Sequence, residues 1–175
     1  MSHAHRPVSS DDADALRAFV AGIRPSDRTF LDDQLLDPDR VAAWATEPGA
    51  TGLVAVAGDR IAGVGSLRPG SGWTSHVGVL RVVVGEADRG RGVGSTLVHA
   101  LLGVAADCAV AKVVVEVMAA NVAAARLFER LGFVPEATLR DHVRDARGDY
   151  QDLTVLTTWI DHQGQPLAPG EEIAG

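Results

Sequence analysis

The stretch Val84-Gly85-Glu86-Ala87-Asp88-Arg89-Gly90-Arg91-Gly92-Val93-Gly94 constrains this chain more than any other. An apolar, valine-rich run ends where it starts and an amphipathic run opens where it ends, so a strand must hand over to a helix within a few residues. The bend between them is made of glycines and arginines. A helix begins with backbone N–H groups that have no partner of their own, at the positive end of its dipole. Such a bend is a ready seat for a phosphate group. Glycines at 90, 92 and 94 keep Cβ atoms out of a ligand's way, and Arg89 and Arg91 can add charge-assisted hydrogen bonds. A phosphate-bearing ligand is expected here.

A chain of 175 residues can bury one full core, so a single domain over residues 1–160 is expected. A flexible tail would follow over 161–175, where Gly164, Pro166, Pro169 and Gly170 gather. The net charge of −7 argues against nucleic acid as a partner, which would need a basic face. An anionic ligand would then be held by the local cations at 89 and 91. Cys108 is the only cysteine, which excludes an internal disulfide and a multi-cysteine metal site. It falls on the apolar side of an expected helix and reads as buried filler. His3 and His5 alone make no metal site, and no metal is expected. The first residues lack the apolar stretch of a signal peptide, and Arg81, His99, Asp107 and Lys112 interrupt every run that could span a bilayer. A cytoplasmic protein without a membrane partner is expected, and a homodimer is left open.

Residues 4–8 can form a short strand. Ser10 and Asp11 open a helix to about Ala21 with Ala15, Leu16, Phe19 and Val20 inward, and a second helix over 38–46 carries Val41 and Trp44. Thr51–Ala57, the turn Gly58-Asp59-Arg60 and Ile61–Leu67 read as a hairpin, followed by a strand over 75–84. In helix 92–107, Val93, Leu97, Leu101, Val104 and Cys108 form one stripe. Lys112–Met118 is a strand expected to be buried on both faces apart from Glu116. A helix over Asn121–Leu131 stops at Gly132. Strands over 133–144 and 150–159 are joined by the turn 145–149. A strand-helix-strand-helix-strand unit among hairpins predicts an α/β (α+β) fold, a mixed sheet covered by helices.

Three phosphate motifs compete for the bend. A P-loop needs Lys-Ser or Lys-Thr after its last glycine, but Gly94 is followed by Ser95 and Thr96. A dinucleotide fingerprint counted from Gly90 finds Ser95 where its third glycine belongs. The third pattern, R/Q-x-x-G-x-G/A, is satisfied by Arg89, Gly92 and Gly94. A second match lies downstream in Glu116-Val117-Met118-Ala119-Ala120-Asn121, then Ala124, Leu127, Phe128, Glu129, Leu131, Gly132 and Phe133. On these two segments the chain resembles the GNAT superfamily of acetyl-CoA-dependent N-acetyltransferases, over about residues 6–160 and most strongly over 80–135.

The resemblance implies a mixed, mostly antiparallel sheet flanked by about four helices, whose fourth and fifth strands, 75–84 and 112–118, splay to admit acetyl-CoA. It implies that the pantetheine arm pairs with backbone groups of Val82 and Val84. The pyrophosphate would sit on the bend and helix start, at Arg89, Gly90, Arg91, Gly92, Val93, Gly94 and Ser95. Asn121 and Phe128 fall on cofactor-side positions, Asn121 also being a natural helix N-cap. The backbone N–H of Val84 would stabilise the oxyanion.

Acetyl transfer needs an amine that has lost its proton, and a free alkylamine has a pKa of about 10. Glu116 is the candidate base, because a carboxylate within Val-Val-Val-Glu-Val-Met is costly to bury. The other reading is a glutamate facing solvent or paired with an arginine. Phe128 departs from the family's tyrosine and has no proton to give the leaving thiolate. A thiol of pKa about 8.5 can leave without one, or Tyr150 or water can supply it. His76 and His142 are placed near the active-site end, each more simply structural. The acceptor pocket would use residues 22–38, with Asp27, Asp32, Asp33 and Asp37 against Arg24 and Arg28, and 140–150, with Arg140, Asp141, His142, Arg144, Asp145 and Arg147. The first stretch mildly favours a cationic amine, although solvated loop charge is the simpler reading, and the second, mixed in sign, is uninformative; an amine of a small molecule or peptide is expected. An acetyl-CoA-binding sensor without catalysis is the alternative.

Overall fold

The computed structural model describes residues 4–28, 37–43, 51–145 and 147–168. Trp44, His3, Asp32, Asp33, Pro169 and Gly170, singled out above, lie outside that range. Seven strands follow one another in a single mixed sheet in the order β1-β2-β3-β4-β5-β7-β6. The residues gather in two compact units, one holding the described residues up to Arg68 together with Arg81–Leu101, the other Pro69–Leu80 and the described residues from Leu102 onward.

In the first unit, β1 (Ala4–Pro7) pairs antiparallel with β2 (Thr51–Ala57), and β2 with β3 (Arg60–Pro69) across a tight turn at Gly58-Asp59. Ser9 caps a 3-10 turn over Ser10–Asp12, where the Asp12 carboxylate accepts the Ser9 N–H and both guanidinium nitrogens of Arg6 at 2.7 and 2.8 Å. That cap launches α1 (Ala13–Ala21), which buries Leu16 and Phe19, with Ala15 and Val20 beside them. The short helices α2 (Pro25–Arg28) and α3 (Pro38–Ala43) follow, and Val41 completes a core with Ile23, Val54, Ile61, Val64 and Val83.

The long helix α4 (Val93–Asp107) approaches β3 unusually closely. A Cβ on Gly65 would lie 2.8 Å from Leu101, and one on Gly63 3.1 Å from both Leu97 and Val93. The two glycines therefore let the helix start sink onto the strand, which fixes where the bend before it must lie. The buried stripe of α4 is Val93, Leu97, Leu101 and Ala105, with Val98 and Leu102 alongside. Val104 is only half-buried. Cys108, expected as buried filler, is exposed, because the helix ends at Asp107 and Ala109 turns the chain aside at φ 56°.

In the second unit, the start of β4 (Val77–Val84) pairs parallel with β5 (Lys112–Met118). That ladder is short, running from Val77–Lys112 to Val79–Val114, as expected of strands that part. β5 pairs antiparallel with β7 (Tyr150–Trp159) along its whole length, and β7 with β6 (Val134–Arg144). α5 (Val122–Arg130) is followed by Gly132 at φ 88°, the left-handed residue expected there. Residues 161–168 form local hydrogen bonds. Ile160 bridges Pro166, Leu167 N–H donates to Trp159, and the Asp161 carboxylate accepts from the N–H groups of Gln163 and Gln165. A Cβ on Gly164 would come within 2.5 Å of the Leu102 carbonyl, so this strap lies tight on the helix. Among the described residues no helix is long and apolar enough to cross a membrane.

Candidate active site

The second half of β4 leads into the bend. Burial alternates at Gly78 and Leu80, then resumes at Val83 instead of Val82. Val82 and Val84 both come out half-buried.

Beyond β4 the chain is tied down at several points. Gly85 N–H donates to Ala62 at 2.9 Å, and a 3-10 turn over Glu86–Asp88 closes with Arg89 N–H on the Glu86 carbonyl at 3.2 Å. Asp88 is 1% exposed, and its two oxygens take Arg60 Nη1 at 2.5 Å and Nη2 at 2.9 Å. Arg89 Nη1 donates to Asp27 at 2.9 Å and its Nε to the Val84 carbonyl at 3.2 Å. Arg24 joins the same network, 2.9 Å from Glu86 and 3.3 Å from Asp27. Burial raises the Asp27 carboxyl's pKa, but the guanidiniums of Arg89 and Arg24 more than offset this and hold it below the ordinary aspartate range.

The bend itself is open. Gly90 and Gly92 adopt φ of 69° and 84°, a conformation that a side chain makes costly, and nothing lies within 4 Å of where a Cβ would stand on either. The first helical bond runs from Thr96 N–H to Gly92 at 2.9 Å. The N–H groups of Val93, Gly94 and Ser95 at the head of that helix therefore have no partner within it. Arg91 is exposed and makes no ion pair among the described residues, whereas Arg89 is engaged with Asp27. Of the two arginines expected to face a phosphate, Arg91 is the one at liberty to do so. Val93 and Gly94 are buried and Ser95 half-buried.

The second unit carries the remaining residues. Glu116 lies in mid-β5, opposite Val155, and is exposed. The pleat turns it outward between buried Val115 and Val117, in keeping with the exception made for it in an otherwise buried strand. Val114 is only half-buried, so the strand is not enclosed on both faces. Asn121 caps α5, its Oδ1 accepting from Ala124 N–H at 3.2 Å. Phe128 is 6% exposed and meets Phe133 edge-on at 5.3 Å between ring centres.

His76 immediately precedes the first residue of β4. It stacks on Trp159 at 6.3 Å. His142 is exposed on β6, next to a register shift between Leu139 and Val143. Tyr150 is exposed, with its hydroxyl accepting from Arg144 Nη2 at 2.7 Å and the Arg144 guanidinium over its ring. The expected acceptor loop proves mostly structural where it is described: Arg28 donates to the Val20 and Ile23 carbonyls, and Asp37 accepts from the N–H groups of Asp39 and Arg40 at the start of α3. That removes most of its argument for a cationic amine. Two contacts went unread in the sequence, Arg60–Asp88 and Arg89–Asp27, since partners 28 and 62 residues apart leave no spacing to find.

A mixed seven-stranded sheet whose fourth strand runs into an amide-lined bend at the head of a long helix defines an acetyltransferase that uses acetyl-CoA. Residues 18–133 match the acetyltransferase (GNAT) family, well over half of the chain, and the protein belongs to that family. No curated protein matches it. Among solved structures it is similar to the GNAT-family acetyltransferase of Streptococcus pneumoniae, at 22% identity and a TM-score of 0.77 over 91% of this chain and 100% of that one. A protein of Salmonella typhimurium termed an acetyltransferase, solved with its cofactor acetyl-CoA, matches at 22% identity and 0.79 over 100% and 98%. The ribosomal-protein-alanine N-acetyltransferase of Brucella melitensis matches at 24% and 0.76 over 90% and 99%. At such identities the likeness is one of fold.

Proposed function

We propose that this protein moves an acetyl group from acetyl-CoA to a primary amine of a small molecule or peptide, by direct attack on the thioester. The observation that carries this reading is the open bend, where two positive-φ glycines lead into the run of N–H groups that the head of a 15-residue helix leaves without a helical partner. Such a run matches the diphosphate of coenzyme A in charge and in hydrogen-bonding need. Arg91 adds a cation there, and Val93, Gly94 and Ser95 contribute backbone. Arg89 acts through its bond to the Val84 carbonyl, holding the end of β4 to the bend. Val82 and Val84 offer backbone groups to the pantetheine arm, and Asn121 and Phe128 shape the cofactor side of α5.

In the reaction, the amine lone pair adds to the thioester carbonyl carbon, and the Val84 N–H stabilises the oxyanion. Glu116, exposed and therefore accessible to an amine or an intervening water, takes the proton that the nitrogen must lose. Collapse breaks the carbon–sulfur bond and releases the amide and the CoA thiolate. With Phe128 unable to donate, the thiolate leaves unassisted or takes its proton from water or from Tyr150, whose hydroxyl accepts from Arg144 and keeps its own proton to give. Phe128 also favours a second reading, an acetyl-CoA-binding sensor with little turnover. Release of free CoA thiol, followed across a panel of primary amines, separates the two. Amine-dependent release supports the transferase, and binding without amine-dependent release supports the sensor.

A further inference from the structure

Two carboxylates are buried among the described residues of the first unit, Asp12 and Asp88. The burial of Asp12 is explained by the helix cap it completes. Asp88, 1% exposed, lies just beyond the end of β4. It stands immediately before Arg89 and the bend, in a turn flanked by glycines at 85, 90 and 92 that would otherwise leave the backbone loose. A carboxylate is withdrawn from water only where its charge is matched, and here the planar guanidinium of Arg60 takes both oxygens in one fork. Arg60 is the first residue of β3, the strand on which α4 is seated, so the fork ties the turn to the same rigid support as the helix. Gly85 N–H on Ala62 and Asp88 N–H on Gly85 add a backbone anchor on that strand.

We infer that Asp88 is a positioning residue for the cofactor: clamped by Arg60, it sets the direction in which the N–H groups of 90–95 point. The inference rests on the reading of the bend as the diphosphate seat. It implies that loosening the fork weakens cofactor binding and leaves the chemical step alone, the signature of lost uniform binding.

The test measures CoA binding by calorimetry, and kcat and KM for acetyl-CoA, in the intact protein and in Asp88→Asn, Arg60→Lys and Asp12→Asn. Arg60 is half-exposed, so Arg60→Lys keeps a folded test available if Asp88→Asn does not fold. Asp12→Asn breaks an equivalent buried fork in the same unit, away from the bend. Kd and KM should rise on the order of tenfold in Asp88→Asn and Arg60→Lys, short of the roughly hundredfold that an ångström of misplacement costs a reacting group, with kcat nearly unchanged. Asp12→Asn should lower Tm without moving Kd. Wild-type affinity in both Asp88→Asn and Arg60→Lys would overturn the positioning role while leaving the seat intact. Equal weakening by Asp12→Asn would reduce the effect to general instability and also overturn it. A wild-type protein that takes no CoA would remove the seat itself, and the inference with it.

Discussion

Replacing Gly92 by alanine separates the strain of a left-handed backbone from the loss of a ligand seat. Gly92 has φ 84° with nothing within 4 Å of a Cβ, and Gly58, in the β2–β3 turn, has φ 66° with the same empty surroundings. Neither substitution creates a clash in the free protein, so each costs only the backbone penalty of about 1–2 kcal/mol. For a chain of this size that lowers Tm by roughly 2–8 °C in either variant. The two diverge on binding. A methyl at 92 stands where the diphosphate must approach, and losing one charged hydrogen bond there removes about 1.5–3 kcal/mol. That is a rise of roughly 10- to 150-fold in Kd for CoA. Gly58→Ala should bind as the wild type does. Calorimetric titration with CoA, paired with thermal melts, reads both quantities. Wild-type affinity in Gly92→Ala, or equal weakening in Gly58→Ala, would refute the reasoning.

Glu116→Gln should lower kcat by about 10²–10⁴ and flatten its rise with pH, with Kd for CoA unchanged, and an unchanged rate profile would refute the base assignment. Phe128→Tyr should not lower turnover, whereas Phe128→Ala should cost about 3–5 kcal/mol in denaturant melts because it empties the packing against Phe133. The Asp12 carboxyl is held below the ordinary aspartate range, chiefly by its hydrogen bonds from Arg6. Its contribution is thus fully present above pH about 4 and fades as pH falls through the lowered folded value, so Asp12→Asn should lose about 1–2 kcal/mol at neutral pH and less in acid, read by urea melts across pH.

The order of strands and helices was legible because the periodicities are clean, from the hairpin at 51–69 to the strand pair 134–159. The bend was legible because glycine and arginine occur there together for a reason that acts within a few residues. What escaped depends on the third dimension. Spacing of four, four, three and four in α4 pointed to Val104 and Cys108, but packing continued the stripe through Ala105 and the helix ended before the cysteine. The valines of 112–118 suggested a strand buried on both faces, yet Val114 is only half-buried, since alternation in a strand needs only every second residue inside. Arg60 and Asp88 are ordinary surface residues in the sequence; only the hairpin brings the guanidinium to the turn.

The most direct measurement is a crystal structure of the protein with CoA bound. The expected result places diphosphate oxygens about 2.7–3.2 Å from backbone nitrogens within 90–95, with Arg91 turned toward them and Arg89 still on Asp27. A diphosphate bound elsewhere, with those N–H groups facing only water, would contradict it.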